Sequence, residues 1–144
     1  MTEALQIMHI PGRGDLSPAW AIRDAVFVAE QAIAKDLERD DADNVCDHFV
    51  VLVQGQPLAT GRLRQVGEKI KFERIATLAA ARGRGVGKAL MESMEAFARE
   101  NFPQCQLWMA AQESAVGFYE KIGWHRTGEP FEEAGIPHQG MTKS

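Results

Sequence analysis

Three alternate glycines in Arg82-Gly83-Arg84-Gly85-Val86-Gly87 lie between a strand-like run ending near Thr77 and a helix-like run beginning near Val86. Glycine lets a backbone pass close to a ligand with no Cβ in the way, and the free N–H groups at a helix start, reinforced by its dipole, point at anions. Arg82, Arg84 and Lys88 add positive charge at the same place, so the chemistry on offer is phosphate binding. Two familiar phosphate loops do not fit. A Walker loop needs glycine six residues before its lysine and a hydroxyl after it, whereas Arg82 holds that position before Lys88, and Ala89 follows. The dinucleotide fingerprint G-x-G-x-x-G would put its third glycine at Lys88, but that glycine arrives one residue early, at Gly87. What remains is R-x-x-G-x-G, read on Arg82, Gly85 and Gly87.

This loop resembles the acetyl-CoA pyrophosphate loop of the GNAT superfamily of N-acetyltransferases. Ala110-Ala111-Gln112-Glu113-Ser114-Ala115-Val116-Gly117-Phe118-Tyr119-Glu120-Lys121-Ile122-Gly123-Trp124 resembles its second signature, a strand end followed by a helix carrying F-Y-x-K-x-G-[FW]. Val26-Phe27-Val28-Ala29-Glu30-Gln31, Glu73-Arg74-Ile75-Ala76 and Gly135-Ile136-Pro137-His138 are similar to the bacterial ElaA-like subgroup, and the resemblance covers most of residues 20 to 141. Two departures are visible: Gln112 stands where many members carry Asn, and Thr77 where an aliphatic residue is commoner.

The resemblance implies an α+β fold: a central mixed, mostly antiparallel twisted sheet of about six to seven strands, flanked by about four helices, with a splayed strand pair holding acyl-CoA. Backbone groups at Ile75, Ala76 and Thr77 would hydrogen-bond the pantetheine arm and acyl oxygen. Arg82, Gly83, Arg84, Gly85, Val86, Gly87 and Lys88 would hold the pyrophosphate, with Gln112 and Phe118 also on the cofactor side. Arg23, Phe27 and Gln31 would line the acceptor side. Tyr119 matches the family's general acid toward the CoA sulfur, since a phenol stays protonated at neutral pH and can donate to a developing thiolate. It also lies beside an amphipathic face of Ala115, Phe118 and Ile122, where a tyrosine can simply pack.

Two residues are candidates for the general base. Glu73 precedes the pantetheine-binding strand end and could relay a proton through water, or form an ion pair with Arg74 or Arg62. His138 carries an imidazole suited to proton transfer near neutral pH, or orients a terminal loop. The implied activity is transfer of acetyl from acetyl-CoA to the primary amine of a small molecule, by direct attack in a ternary complex. The alternatives are a non-catalytic acyl-CoA sensor of the same fold and a protein or peptide N-acetyltransferase.

Composition sets the frame for these residues. The 144-residue chain has a single-domain length, ordinary globular proportions of 45% apolar and 25% charged residues, and a net charge of −4. That charge argues against a general nucleic-acid surface, and the apolar runs are too short to span a bilayer. Met1-Thr2-Glu3-Ala4 lacks the basic and apolar regions of a signal peptide, so a cytoplasmic location is expected, with a homodimer left open. Cys46 and Cys105 have no disulfide or zinc spacing, and adjacent Cys46, Asp47 and His48 cannot easily converge on one ion, so no metal is expected.

The elements that must position the site alternate along the chain. Leu5 to Ile10 reads as a strand, and Ser17-Pro18 as a capping hydroxyl followed by a first-turn proline. Ala19, Ile22, Val26 and Ala29 then form a helical stripe with Arg23 and Glu30 nearer its flank. The acidic stretch from Asp36 to Asp43 reads as a polar helix-loop that could attract an ammonium-bearing acceptor or, as charged residues usually do, form a solvated face. Phe49 to Val53 and Leu58 to Val66 predict a hairpin around Gly55-Gln56-Pro57, and Gly67-Glu68-Lys69 a second turn. In the strand from Ile70 to Thr77, Phe72 and Ile75 break two-residue alternation, which suits a β-bulge. Val86, Leu90, Met94 and Phe97 mark the helix after the loop, with Glu95 and Arg99 spaced to pair. Cys105 to Ala110 reads as a buried strand, and Ser114 to Ile122 as a short helix stopped by Gly123.

Overall fold

The structure, a computed structural model, describes residues 4–144. The reading of Met1-Thr2-Glu3 as lacking a signal peptide lies outside the described residues. Eight strands of the described residues form one mixed sheet: β1 (Leu5–Pro11), β2 (Asp47–Val53), β3 (Gln56–Val66), β4 (Lys69–Thr77), β5 (Gln106–Gln112), β6 (His125–Arg126), β7 (Phe131–Glu133) and β8 (Ile136–Lys143). Their order is β1-β2-β3-β4-β5-β8-β6, with β7 also on β8. Every pairing is antiparallel except β4 with β5. The strand count exceeds the expected six to seven because β6 and β7 are short pieces against β8.

Among the described residues, four α-helices flank the sheet: α1 (Ser17–Arg23), α2 (Lys35–Glu38), α3 (Val86–Asn101) and α4 (Val116–Lys121). Residues Asp24–Glu30 continue α1 as a π-helix, a wider winding that often marks functional sites. Ser17 does not cap α1. It is the first helical residue, and its N–H donates to the Asp15 carboxylate at 3.0 Å. The β2–β3 turn falls on Gln54 and Gly55, whose φ values of 51° and 78° suit the right-handed strand twist, so Gln56 and Pro57 belong to β3.

Apolar residues fill both faces. Phe72, Leu90, Met91, Met94, Met109 and Trp124 pack between the sheet and α3–α4, while Leu16, Ile22, Val26, Val50 and Ala76 pack beneath α1. The predicted bulge lies between these layers. Arg62 pairs with Glu73 but Thr60 pairs with Ala76, so Arg74 and Ile75 together face Gly61. Arg74 takes φ 53°, a left-handed value with a steric penalty for a residue that has a Cβ. Gly61 has no space for a side chain, since a Cβ there would meet Met94 Sδ at 2.7 Å. Beyond the bulge, β4 leaves β5: their ladder runs from Lys69–Gln106 to Phe72–Met109 and stops.

The acidic stretch is only in part a solvated face: Asp36, Asp40 and Asp41 are exposed, but two of its carboxylates are not. Glu38 and Asp43 are 2% and 3% exposed, because the stretch folds back onto buried arginines. Arg23 meets Glu38 at 2.8 Å and Asp43 at 2.8 Å, and Arg62 meets Asp40 and Asp43 at 2.7 Å each. Arg74 holds Glu38 and Asp40, Arg64 holds Glu73, and Arg39 holds Asp24 and Glu38. Burying unpaired charges is prohibitive, so these residues enter the interior only as a neutralised set. Although burial disfavours its charge, hydrogen bonds from Arg23, Arg62 and Trp20 hold the Asp43 carboxyl well below its usual range. Glu95 also departs from expectation: it accepts from Trp124 Nε1 at 3.2 Å and pairs with Lys143 at 2.7 Å, while Arg99 donates to the Ser144 carbonyl.

Arg62→Met should therefore lower unfolding stability by about 3–5 kcal/mol, since it takes a partner from the buried Asp43; a loss of urea-unfolding free energy below about 1 kcal/mol would refute that role. His48, 1% exposed, is pushed by burial below its ordinary value of 6.5. The unfolded chain then binds a proton that the folded chain does not. Its stability contribution is complete above about pH 6.5 and is lost on acidification at up to about 1.4 kcal/mol per pH unit. Urea titrations between about pH 7 and pH 5 should show a shallower loss for His48→Gln than for wild type.

Candidate active site

Where β4 and β5 part, a cleft of about 1040 Å³ runs from the glycine loop to β7 and β8. Glu73 to Thr77 line one wall and Ala110 to Gln112 the other. With no strand between them, backbone groups along both inner edges are available to a ligand.

At the loop end, a single 3₁₀ turn at Ala79–Ala81 leads into Arg82. Gly83 and Gly85 have φ of 80° and 78°, and Gly85 begins α3 with no side chain capping the helix. The N–H groups of the first turn, at Val86, Gly87 and Lys88, are therefore available for an anion. Gly87 brings the loop against the second signature, for a Cβ there would stand 3.4 Å from Phe118 Cζ and 3.6 Å from Thr77 Oγ1. Arg82 donates through both terminal nitrogens to Glu30 at 2.7 Å each, and through Nε to the Thr77 carbonyl at 3.1 Å. Arg84 is exposed on the same loop, and Lys88 lies 3.9 Å from Glu92 one turn along α3.

Tyr119 and His138 also line the cleft. Tyr119 is 6% exposed and meets Phe118 edge-on at 5.2 Å. Burial raises its pKa, keeping the phenol protonated. His138 sits opposite Gln112 in the β5–β8 ladder. Its Nδ1 lies 2.7 Å from the Ile136 carbonyl, which can only accept, so Nδ1 carries the proton and the Nε2 lone pair of the neutral ring is free. Nε2 lies 3.7 Å from Glu133, and Phe131 stacks on the ring at 5.9 Å. Glu73 reaches the cleft too, but Arg64 donates to both its oxygens at 3.0 and 3.2 Å, and Arg62 to one at 3.3 Å. The ion-pair alternative for Glu73 is thus realised, with Arg62 and Arg64 rather than Arg74.

Of the three residues expected on the acceptor side, Phe27 and Gln31 line the cleft and Arg23 does not, because Glu38 and Asp43 hold its guanidinium in the interior. Gln31 and Gln112 join across the cleft by reciprocal amide hydrogen bonds of 3.2 and 2.8 Å. The π-helix therefore ends in two bridges, Glu30 to the glycine loop and Gln31 to β5. Sequence reasoning missed Glu30, Phe131 and Glu133. Glu30 lies within a quoted motif, but its partner is 52 residues away, and no local pattern signals the pairing. Cys46 is buried with its thiol pushed up to about 11, and His48 bonds the Asp43 carbonyl at 2.9 Å. Among the described residues, no three His, Cys, Asp or Glu side chains converge on a metal position, and no helix is long and apolar enough to cross a membrane.

The sequence and fold have clear relatives. The family described as "Acetyltransferase (GNAT) domain" matches residues 17–144. The uncharacterized protein YyaT of Bacillus subtilis is 37% identical over 142 residues, covering 96% of this chain and 95% of the relative. The crystal structure of Escherichia coli ElaA superposes with a TM-score of 0.86 at 25% identity, covering 98% of this chain and all (100%) of that one. A GNAT family acetyltransferase from Elizabethkingia anophelis, solved with acetyl-CoA bound, shares the fold at TM-score 0.69 and 17% identity, covering 96% and 94% of the two chains. With the family matched across nearly its whole length and the ElaA fold reproduced, this chain belongs to the GNAT acetyltransferases, in the ElaA-like subgroup, and is an acyltransferase.

Proposed function

We propose that the protein transfers the acetyl group of acetyl-CoA to the primary amine of a small molecule by direct attack in a ternary complex. The observation that carries this reading is the continuity of one cleft, which joins an anion-binding helix start, two open strand edges, a protonated phenol and an imidazole with a free nitrogen. Acetyl-CoA fits that series: pyrophosphate at Gly83 to Lys88, pantetheine amides against Ile75 to Thr77, and the thioester between Tyr119 and His138. The acetyl-CoA held by the Elizabethkingia anophelis relative supports the same co-substrate.

Aminolysis of a thioester requires a neutral amine, a polarised carbonyl and a stabilised leaving thiolate. His138 Nε2 takes the amine proton, and its Nδ1–H bond to Ile136 fixes the tautomer for that task. Backbone N–H groups on the open β4 edge polarise the acyl oxygen. The Tyr119 hydroxyl donates to sulfur as negative charge builds there; burial makes it a weak acid, so it gives most to the fully developed thiolate. Glu73 acts instead as a structural anion between Arg62 and Arg64.

Wild type should gain about 2.7 kcal/mol of stability from acetyl-CoA at a hundredfold excess over its Kd. Arg82→Ala and Gly85→Ala should lose most of that thermal shift. A Cβ at position 85 meets nothing within 4 Å, so the added atom obstructs the ligand rather than the protein, although φ 78° adds modest strain. Unchanged calorimetric affinity in both variants would remove the loop from the binding site. With a turned-over amine, Tyr119→Phe and His138→Asn should each lower kcat by roughly 10²–10⁴ while acetyl-CoA affinity holds. Glu73→Gln should chiefly lower melting temperature; a kcat loss as large as that of His138→Asn would reassign the base.

A further inference from the structure

We infer that the acceptor is a monoamine with an apolar, preferably aromatic, body, rather than a polyamine, an amino acid or an aminosugar. This rests on the proposed acetyl transfer and follows from charge accounting within the cleft. Its lining includes four carboxylates: Glu30, Glu38, Glu73 and Glu133. Arg82 holds Glu30; Arg23, Arg39 and Arg74 hold Glu38; Arg62 and Arg64 hold Glu73. Glu133 is the remaining one. It is 64% exposed, has no arginine or lysine partner among the described residues, and faces His138 Nε2 at 3.7 Å. The cleft thus has one carboxylate to attract one ammonium group, beside the atom that removes its proton. A polyamine's second ammonium would find no free counter-charge.

The cations exclude a carboxylate next to the reacting amine. Arg74 is taken by Glu38 and Asp40, while Arg82 and Lys88 stand at the loop end, on the proposed pyrophosphate side. Lys71 has no carboxylate partner and lies over the Trp108 ring at 5.1 Å. Trp108 is four residues before Gln112 on β5, the residue opposite His138, which puts Lys71 roughly 13 Å from the reaction level at about 3.3 Å per residue. An α-carboxylate cannot reach it.

Apart from Gln31, whose amide is bound to Gln112, the rest of the acceptor end is apolar. Phe27, Leu37, Phe131 and Ile136 line it, and Leu37 and Phe131 remain 60% and 39% exposed. Exposed apolar groups flanking a cleft gain most from covering an apolar ligand, and they offer no hydrogen bonds to the hydroxyls of a sugar.

Thiol release from acetyl-CoA by the full chain tests this with 2-phenylethylamine, spermidine, an amino acid, glucosamine and a tripeptide. The expected result is a kcat/KM for 2-phenylethylamine at least tenfold above each of the others. Leu37 is exposed and its replacement leaves the core intact, so two variants sharpen the test: Leu37→Ala should raise KM for the aromatic amine about threefold to tenfold. Leu37→Glu should shift relative kcat/KM toward spermidine by supplying the missing second carboxylate. Highest kcat/KM with any other amine would overturn the acceptor class while leaving acetyl transfer standing. Lack of effect of both Leu37 variants on an aromatic substrate would overturn the apolar subsite. Release with none of the five, while acetyl-CoA still binds, would overturn both this inference and the proposed activity.

Discussion

The separation of β4 from β5 is the constraint on which the rest of the structure depends. Parallel strands normally continue pairing until one of them ends, but here the ladder stops after Phe72–Met109 although both strands run on. The extra residue in β4 turns the chain at Arg74, whose left-handed φ is unfavourable by about 1–3 kcal/mol and must be held by its surroundings. Gly61 allows Met94 and Ile75 to approach from the α3 face, and Glu38 and Asp40 hold the Arg74 side chain from the other. The reward for this arrangement is a slot whose walls are strand edges with unmatched hydrogen-bonding groups.

That slot explains the buried ion network. Opening a sheet in its middle removes the packing that would cover β3 and β4, and α2 with the following 3₁₀ turn at Asp41–Val45 supplies the cover. Because those segments are short and rich in carboxylates, they attach through charge rather than apolar area. Asp43 lies at the centre, bonded by Arg23, Arg62 and Trp20. Such a set adds little net stability compared with an apolar core, yet removing one member leaves a charge without its partner. The same network occupies Glu38 and Glu73, two of the four carboxylates that line the cleft, so the frame of the site also bears on which acceptors it can recognise.

The π-helix connects the two ends of the cleft. Its wider winding delivers Glu30 and Gln31 in succession to opposite sides of the slot, one toward Arg82 and the other toward Gln112. The pair of exposed ions contributes little stability alone, at roughly 0–1 kcal/mol. Its consequence is positional, since it fixes the Arg82 guanidinium between Glu30 and the Thr77 carbonyl.

How much was legible in the sequence depended on whether the signal was local. The glycine loop, the α3 stripe, the bulge between Phe72 and Ile75, and the Phe118–Tyr119 segment were readable because each is set by glycine geometry or by periodicity within a few residues. Family resemblance then joined these pieces into one fold. Residues whose roles depend on partners far along the chain were misread: Arg23 was expected on the acceptor side, Glu38 and Asp43 in solvent, and Glu95 beside Arg99. Charged side chains favour water unless a counter-charge is delivered to them, and only the folded chain brings Arg23 and Arg62 to Asp43, or Lys143 to Glu95. By itself the sequence determined the local elements and the glycine-rich, basic character of the loop. Tertiary structure decided that Glu73 is tied by arginines while the Nε2 of His138 stays free, because long-range pairing is a property of the closed sheet and of no single segment.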